Sequence, residues 1–253
     1  MLPLERQKNI VKYVQKQKAT TIAELANYFD VHEATIRRDI NLLVKDKQLI
    51  RTHGGVMIND DVDSEPSFHK RTSLQFEEKI RIGQKAADLI NDGENIIIDS
   101  GTTTLHIANA IKDKKNLTVI TNDINIAATL RSSPAIKVIV TGGILFPDSF
   151  MLNGMITDEV LQSLHVHKAF IGTPALHHRK GLTHFDEYLV SAKRGMIRAA
   201  KKVIAVADHT KIGNVSLHKV ADLKQVHDII TGKNAEKLDL RSFTDQGIRL
   251  HFA

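Results

Sequence analysis

The sequence predicts a small α+β winged helix-turn-helix domain followed by an α/β domain with a doubly wound, mostly parallel sheet. Three observations lead to this prediction. Residues 21–58 contain two short helical patterns, a strand, a Gly-Gly turn and a second strand. Residues 59–66 are acidic and polar and end on a proline, which is typical of a linker. Beyond about residue 76, apolar strand patterns alternate with helical patterns, which builds parallel sheets with helices on both faces. The expected divisions are a domain over 1–58, a linker over 59–75 and a domain over 76–253.

Each of the three N-terminal helical patterns has one apolar face. The first helix is predicted over about residues 4–17. Thr21 and Glu24 match a capping box, which marks the start of the second helix, and the third helix starts near Glu33. The apolar positions are, helix by helix, Ile10, Val11 and Val14; Ile22, Leu25, Ala26 and Phe29; and Ile36, Ile40 and Leu43.

The opposite face of the third helix is polar and basic, and a predicted β-hairpin follows it. Arginine can bond guanine, asparagine can read adenine and lysine can bind phosphate, so this face suits the major groove of DNA. Strands are predicted over 49–51 and 56–58, with a tight turn at the two glycines between them. The predicted DNA-binding residues are Thr35, Arg37, Arg38, Asn41, Lys45, Arg51, His53, Gly54 and Gly55. A solvated basic helix is the plainer alternative.

Composition favours an intracellular protein that binds an anionic partner. The 253 residues are 42% hydrophobic and include no cysteine, which allows two cores and excludes a disulfide framework. No apolar run reaches the length of a membrane span and no signal-peptide core is present, so we expect a cytoplasmic protein without membrane contact. Residues 1–57 hold 10 Lys/Arg against 6 Asp/Glu, whereas the rest hold 25 against 23. The basic excess therefore lies in the first domain, as phosphate binding requires.

The second domain alternates strands and helices along its whole length. The apolar run Ile96-Ile97-Ile98 is typical of a strand buried on both faces of a sheet. Strands are predicted over 95–99, 117–121, 136–141, 168–172, 203–208, 226–231 and 248–252. Helices are predicted over 77–90, from about 104 to 111, and over 125–130, 157–164 and 187–201.

Glycines and polar residues cluster at the predicted carboxyl ends of these strands, where doubly wound folds bind ligands. Residues 99–104 follow the first strand and open a helix, and their glycine, hydroxyls and helix N-terminus suit a phosphate group. Each of these residues can also be only a helix cap or a turn residue. Their joint placement predicts one shared pocket. The predicted binding residues are Asp99, Ser100, Gly101, Thr102, Thr103, Thr104, Thr121, Asn122, Gly142, Gly143, Gly172, Glu187, Asp208 and Lys211.

Both halves of the chain resemble the DeoR-type bacterial transcriptional regulators. The matching N-terminal stretches are Glu5-Arg6, Glu24-Leu25-Ala26, Thr35-Ile36-Arg37-Arg38-Asp39 and His53-Gly54-Gly55. The matching C-terminal stretches are Glu78-Lys79, residues 98–103, Thr121-Asn122, Gly142-Gly143, 169–172, 181–183, 185–187, Lys193-Arg194 and 207–213. The chain departs from the family pattern at His32, at the apolar segment 144–147, at Gly154-Met155 and at Thr173-Pro174-Ala175-Leu176.

This resemblance implies a protein that binds double-stranded operator DNA and represses a carbohydrate uptake or catabolism operon. Because paired half-sites require symmetry, we also expect a homo-oligomer, either a dimer or a tetramer. The resemblance also implies an effector domain similar to the ribose-5-phosphate isomerase superfamily, which senses a phosphorylated sugar and needs no cofactor. We expect residues 100–104 and Lys211 to hold the phosphate, and Asp99, Asn122 and Glu187 to bind hydroxyls. Segment 144–147 either forms an exposed interface or folds over the pocket.

The alternatives to a sugar-phosphate-responsive regulator are an enzyme, a metal-responsive regulator and a scaffold. An isomerase-like enzyme needs a carboxylate base, and residues 173–176, where isomerases of this fold carry acids, contain none, so no catalytic residue is predicted. A metal-responsive regulator would use some of the 13 histidines, for example His165 with His167 or His177, His178 and His184. No cysteine and no helical i,i+4 pair supports these, so no metal site is predicted. A scaffold role leaves the polar strand ends unexplained.

Overall fold

The polypeptide forms two units, Met1–Lys70 and Arg71–Ala253, and the division lies inside the segment predicted to be a linker. The computed structural model describes residues 2–17, 19–46, 48–52, 54–58, 66–147, 149–238 and 240–253. The fourth helix of the chain, α4 (Phe68–Ser73), occupies part of the predicted linker, and residues 59–65 lie outside the described residues. In the described part of the chain, no helix has both the length and the apolar character to cross a membrane.

The first unit contains three helices and a three-stranded antiparallel sheet. Its elements are α1 (Pro3–Gln17), β1 (Ala19–Thr21), α2 (Ile22–Phe29), α3 (Glu33–Lys45), β2 (Leu49–Thr52) and β3 (Gly55–Ile58). The sheet order is β1-β3-β2, so the predicted helices and wing are confirmed. The additional strand β1 was not predicted, because three residues are too short to give a strand pattern.

Local chemistry explains where these helices begin and how they pack. The Thr21 side chain accepts from the Glu24 N–H at 3.1 Å, and the Glu24 carboxylate accepts from the Thr21 N–H at 2.9 Å, which is the predicted capping box. The predicted apolar faces meet in one core. A buried ion pair between Arg6 Nε and Asp39 Oδ2, 2.6 Å apart, fastens α1 to α3.

The second unit is an α/β domain. Its helices are α5 (Phe76–Asp88), α6 (Thr104–Ala110), α7 (Ile124–Leu130), α8 (Met155–Gln162), α9 (Val190–Ala199) and α10 (Arg241–Thr244). Its strands are β4 (Asn95–Ile98), β5 (Leu117–Thr121), β6 (Ile136–Val140), β7 (Ile144–Phe146), β8 (Met151–Asn153), β9 (Val166–Gly172), β10 (Ala175–His177), β11 (Gly181–His184), β12 (Ala200–Val206), β13 (His218–Ala221), β14 (Asp228–Thr231) and β15 (Arg249–Phe252).

Seven strands form one parallel sheet in the order β15-β14-β12-β9-β4-β5-β6. This confirms the predicted fold class. The chain runs outward from β4 to β6 and then returns to the other side of β4 with β9. The strand order therefore reverses between β4 and β9, and in doubly wound sheets ligands bind at the carboxyl ends beside such a reversal.

Apolar side chains cover both faces of this sheet. Along β4, Ile97 belongs to the core on one face, whereas Ile96 and Ile98 belong to the core on the other. Strand side chains alternate in direction, so a continuous apolar run can serve both cores. This explains why Ile96-Ile97-Ile98 has no polar interruption.

Two parts of this unit differ from the sequence prediction. The helix predicted over 187–201 is wrong at both ends: Glu187–Leu189 is a short 3₁₀-helix, and α9 gives way to β12 at Ala200. Small antiparallel sheets were also missed, namely the β7-β8 pair and the β10-β11-β13 sheet. These strands have only three or four residues, too few for an alternating pattern to stand out.

Candidate functional site

The outer face of α3 is an exposed, basic surface. Ile36, Ile40 and Leu43 are buried beneath it, as predicted. The predicted DNA-binding side chains on this helix and on the wing are exposed, except for the half-buried Thr35; they are Arg37, Arg38, Asn41, Lys45 and Arg51. The winged unit therefore presents on one helix the donors that base edges and phosphates accept.

Hydrogen bonds fix part of this surface in the free protein. His32 Nδ1 accepts from the Ala34 N–H at 3.2 Å and so caps α3. Arg37 donates to Glu33 at 3.0 Å. Arg51 of the wing donates to Asn41 Oδ1 at 2.6 Å, which connects β2 to α3. Neither the Arg38 nor the Lys45 side chain has a hydrogen bond or ion pair within the described residues, so both are available to a partner.

The two glycines of the wing are required for different structural reasons: Gly54 for its backbone conformation and Gly55 for close packing. Gly54 has φ +86° and is exposed, and the backbone there requires a left-handed conformation. Gly55 is buried, and a Cβ placed on it would lie 2.3 Å from the Thr20 carbonyl oxygen of β1. Close packing therefore accounts for Gly55, and its predicted contact with DNA stays a prediction. His53 lies outside the described residues.

In the second unit, the point where the strand order reverses contains a buried ion pair. Asp99 follows β4 and Gly172 ends β9, and both lie beside Lys193 of α9. Asp99 Oδ2 accepts from Lys193 Nζ and, at 3.0 Å, from the Gly172 N–H. Lys193 Nζ also donates to the Gly172 carbonyl at 2.9 Å. Burial raises the pKa of Asp99, although Lys193 and the N–H groups of Gly172 and Ser100 oppose that rise.

The predicted phosphate loop, residues 100–104, folds tightly before α6. Thr104 Oγ1 donates to the Gly101 carbonyl at 2.9 Å, and the Gly101 N–H donates to Asp123 Oδ2 at 3.3 Å. Lys79 Nζ, from the first turns of α5, donates to Thr102 Oγ1 at 3.0 Å. Thr103 makes no side-chain cap, and α6 has only seven residues. The positive charge at this loop therefore comes from Lys79 more than from a helix terminus.

Asp123 supports that loop from the end of β5. Its Oδ1 accepts from the N–H groups of Asn125 at 2.7 Å and Ile126 at 3.2 Å, which caps α7. Burial raises the pKa of Asp123 to about 6, although the hydrogen bonds from the N–H groups of Ile126, Asn125 and Gly101 lower the pKa and partly offset this rise.

A chain of contacts joins β5 to the β7-β8 hairpin. Asn122 Nδ2 donates to the Leu152 carbonyl at 3.1 Å and faces Asn153 Oδ1 at 3.4 Å. Asn153 Nδ2 in turn donates to the Tyr188 carbonyl at 3.1 Å. Met151 Sδ accepts from Ser100 Oγ at 3.6 Å. The hairpin therefore lies against one side of the predicted pocket.

The remaining predicted pocket residues lie at the same sheet edge with varied surroundings. Thr121 ends β5, is buried, and accepts from the Asp123 N–H at 3.1 Å. Gly143 has φ +116°, and a Cβ on it would lie 2.5 Å from Asn153 O and Thr157 Oγ1, so Gly143 packs against β8 and α8. Gly142, beside it, has φ +73°.

The predicted pocket residues after β12 and β11 also lie near this edge. Asp208 caps the turn after β12 by accepting from the Thr210 N–H, and its Oδ2 lies 3.9 Å from Lys211 Nζ. Glu187 is exposed. Ligand contacts for all of these stay predictions.

Sequence reasoning gave no role to several side chains that lie at this edge. They are Glu78 and Lys79 of α5, Lys193 of α9, Asn153 of β8 and His209, which follows β12. Glu78, Lys79, Lys193 and His209 all lie in stretches that match the family pattern, but the local sequence assigns them no role. Glu78 Oε2 lies 2.6 Å from His209 Nδ1, and Glu78 Oε1 accepts from the His209 N–H at 2.7 Å.

The histidines considered as metal ligands serve mostly as local hydrogen-bond acceptors. His177 Nδ1 accepts from Arg179 N–H at 3.0 Å, His167 Nδ1 from Asn95 N–H at 3.0 Å, and His184 Nδ1 from Asp186 N–H at 3.1 Å. Burial, together with the positive charge of nearby Lys193, lowers the pKa of His184 to about 3. Within the part of the chain that the structure describes, no group of three or more potential ligands could hold a metal ion.

Comparisons with known proteins agree with this architecture. The DeoR-like helix-turn-helix domain model matches residues 6–62, and the DeoR C-terminal sensor domain model matches residues 74–233. The HTH-type transcriptional regulator GolR of Listeria innocua is 30% identical, over 100% of both chains. The HTH-type transcriptional repressor GlcR of Bacillus subtilis is 34% identical, over 95% of this chain and 91% of that protein. The glycerol-3-phosphate regulon repressor of Escherichia coli is 30% identical over 99% of both.

Among solved structures, ribose 5-phosphate isomerase A from Neisseria gonorrhoeae aligns with a TM-score of 0.40 at 16% identity, covering 55% of this chain and 53% of that one. The full-length relatives and the two family models, which together span both units, carry the assignment. The chain belongs to the DeoR family of DNA-binding transcriptional regulators.

Proposed function

We propose that this regulator represses genes of carbohydrate uptake or catabolism and that a phosphorylated sugar relieves the repression. Relatives of the chain include a glycerol-3-phosphate regulon repressor and a putative aga operon repressor, which supports the class of regulated genes. The relatives are regulators, which supports a sensing role for the second unit and not a catalytic one. Residues 173–176 carry no carboxylate that could serve as a base beside the pocket.

The observation that carries the DNA-binding half of this proposal is the exposed face of α3. Arg38 and Lys45 project from a helix whose other side is anchored in the core, and the wing follows directly. In winged helix-turn-helix proteins such a helix enters the major groove, where arginine discriminates guanine and lysine neutralises phosphate. Operators of this kind present two half-sites, so the proposal includes a homo-oligomer.

The effector half rests on the carboxyl edge of the parallel sheet. Hydroxyls of the 100–104 loop, Lys79 and the more exposed Lys211 supply donors for a phosphate group. Asp99, Asn122 and Glu187 supply acceptors for sugar hydroxyls. Residues that follow β4, β5 and β12, together with Lys79 of α5 and Glu187, thus complement the two chemical parts of a sugar phosphate.

The test begins with DNA fragments flanking the regulator's own gene, from which the bound sequence is selected. Fluorescence anisotropy then measures operator affinity with and without a panel of sugar phosphates, each paired with its unphosphorylated sugar. We expect one phosphorylated member to weaken operator binding by roughly 5- to 150-fold, corresponding to a coupling of about 1–3 kcal/mol. Equal responses to a sugar and its phosphate would contradict the proposal, as would aldose–ketose conversion by the purified protein.

A double variant separates effector binding from DNA binding. Thr103→Ala with Lys211→Ala removes one hydroxyl and one cation from the proposed phosphate site, and neither lies in the DNA-binding unit. We expect operator affinity to stay within about twofold while the response to the sugar phosphate falls by at least about tenfold, since each charge-assisted hydrogen bond is worth about 1.5–3 kcal/mol. Thermal melting checks that the double variant is folded. A normal response would exclude the phosphate assignment.

A further inference from the structure

The Asp99 carboxylate is bonded on only one of its two oxygens. Lys193 Nζ and the Gly172 N–H both donate to Oδ2. The Ser100 N–H lowers the pKa of the same carboxyl group but makes no hydrogen bond to Oδ1. Oδ1 is buried and has no hydrogen-bond partner within the described residues. Buried carboxylate oxygens are normally satisfied, so this arrangement leaves a position for a donor that the chain itself does not supply.

Among the described residues, the Lys193 ammonium group lacks one hydrogen-bond acceptor. An ammonium group carries three hydrogens, and two of them are directed to Asp99 Oδ2 and the Gly172 carbonyl. No acceptor for the third is found in the described part of the chain. The Lys193 side chain is only 5% exposed, so bulk water does not readily reach its third N–H group as an acceptor.

A second buried acceptor lies on the adjacent strand. Asn122 Oδ1 is buried without a partner, and its orientation is set because Nδ2 faces the Leu152 carbonyl and Asn153 Oδ1. Ile97 of β4 pairs with Ile120 of β5, and Asp99 and Asn122 are each two residues further along. Adjacent strands are about 4.8 Å apart, which is the spacing at which neighbouring hydroxyls of one small molecule can reach both residues.

We propose that Lys193, Asp99 and Asn122 form a diol-binding subsite for the effector. One ligand hydroxyl accepts from Lys193 Nζ and donates to Asp99 Oδ1, and a neighbouring hydroxyl donates to Asn122 Oδ1. This deepens the proposed function, on which it rests, by adding Lys193 as a ligand contact. It also assigns the ligand to phosphorylated molecules with two adjacent hydroxyls, bound by a subsite separate from the phosphate loop.

The experiment compares ligands with and without hydroxyls. Isothermal titration calorimetry measures binding of D-glucose 6-phosphate, D-fructose 6-phosphate, D-ribose 5-phosphate and sn-glycerol 3-phosphate to the full chain, with ethyl phosphate as the hydroxyl-free probe. Lys193→Met removes the donor and keeps the length of the side chain. Lys168→Met is the matched control, because Lys168 also makes a well-buried ion pair, with Glu94 at 2.6 Å, near the amino-terminal edge of the sheet.

Lys193→Met is expected to weaken the best sugar phosphate by about tenfold or more, which is the factor that about 1.4 kcal/mol represents, and to leave ethyl phosphate within about twofold. Lys168→Met should change neither. The inference is overturned if a folded Lys193→Met chain keeps its sugar-phosphate affinity. Equal losses for both ligands would also overturn it, because Lys193 would then serve the phosphate.

If Lys193→Met does not fold, binding of deoxy analogues to the wild-type chain provides the test. Deoxy analogues of the best sugar phosphate should bind about tenfold more weakly when one of two adjacent hydroxyls is missing. Uniform affinity across all single deoxy analogues would refute the subsite, while the phosphate part of the proposed function would survive. If the wild-type chain binds no phosphorylated probe, the effector half of the proposed function fails together with this inference.

Discussion

At the scale of single residues, the buried carboxylates of the second unit already hold the loops where the ligand is expected. Asp123 accepts from three backbone N–H groups, two at the start of α7 and one at Gly101. Asp99 joins β4, β9 and α9 through Lys193 and Gly172. Such residues set the positions of the loops that are proposed to bind the effector, so their charge state should affect stability as well as ligand affinity.

Asp123 should make stability depend on pH in a defined direction. Its folded pKa of about 6 exceeds its ordinary value of 3.8, so the folded chain keeps a proton that the unfolded chain releases. The resulting stabilisation is complete below pH 3.8 and is lost as pH rises to about 6. The difference is on the order of 2–3 kcal/mol. Urea denaturation of wild type and Asp123→Asn across this range should show a falling difference in unfolding free energy. A difference independent of pH would contradict the pKa assignment.

Arg38 should determine sequence preference, and Lys45 should not. Arg38→Ala removes a group able to bond a guanine edge, so we expect a loss of about 1–3 kcal/mol for the operator and a relaxed base preference. Lys45→Ala should weaken all DNA sequences by about the same factor and reduce the salt dependence of binding. Anisotropy titrations over several salt concentrations distinguish the two. Unchanged operator affinity for Arg38→Ala would mean that another face of α3 contacts the bases.

At the scale of elements, the first turn of α5 holds two loops of the sheet edge. Glu78 bonds His209 after β12, and Lys79 bonds Thr102 after β4. Gly232, after β14, leaves room for this arrangement, because a Cβ there would lie 2.2 Å from Glu78 Oε1. The structure thus explains a glycine whose φ of −77° any residue could adopt.

Gly232→Ala should therefore destabilise the chain through Glu78 alone. Displacing the buried carboxylate should cost about 1–3 kcal/mol. Glu78→Ala removes the clash, so the double variant should lose less unfolding free energy than the two single variants together. Urea denaturation in a double-mutant cycle measures this difference. Additive losses would show that the Cβ meets some other group. Gly213→Ala is the control: its φ of +87° strains an alanine although the space around it is open, so its loss should be additive with that of Glu78→Ala.

The elements and their order were largely predictable from the sequence, whereas the side chains that helices bring to the candidate site were not. A short β-branched run such as Ile96-Ile97-Ile98, bounded by turn residues, indicates a strand, and the residues just after it mark the strand end. Lys193 reaches Asp99 across 94 positions only because β9 lies beside β4 in the sheet. Nothing in the local pattern of α9 encodes that neighbour, since Lys193 looks like a surface lysine until the strand order is known.

At the scale of the whole molecule, an exposed apolar patch marks the expected interface between copies of the chain. Ile144, Leu145, Met155 and Ile156 are 70%, 45%, 79% and 59% exposed, and they lie on β7 and at the start of α8, near the edge strand β6. Segment 144–147 was predicted either to form an exposed interface or to fold over the pocket. In the isolated chain, Ile144 and Leu145 of this segment are exposed. Apolar patches of this kind usually mark contact surfaces.

Placing charges in this patch should dissociate the proposed homo-oligomer. Ile144→Asp with Ile156→Asp puts two carboxylates into an apolar contact, so sedimentation velocity should shift towards monomer. Affinity for a full operator should fall while affinity for one half-site is unchanged, because symmetric binding needs two linked copies. Val215→Asp, another exposed apolar residue, should have no effect. A wild-type chain that is monomeric at working concentrations and binds its operator fully would contradict this.

The most direct test of the central claim is thermodynamic reciprocity between operator DNA and the sugar phosphate. Calorimetry measures the affinity of the full chain for the sugar phosphate, first alone and then saturated with operator. If effector binding and DNA binding are coupled in one molecule, operator DNA must weaken the sugar phosphate by the same factor by which the sugar phosphate weakens DNA, about 5- to 150-fold. The same affinity for the sugar phosphate in both states would contradict the account, because a ligand that does not distinguish the two states cannot shift them.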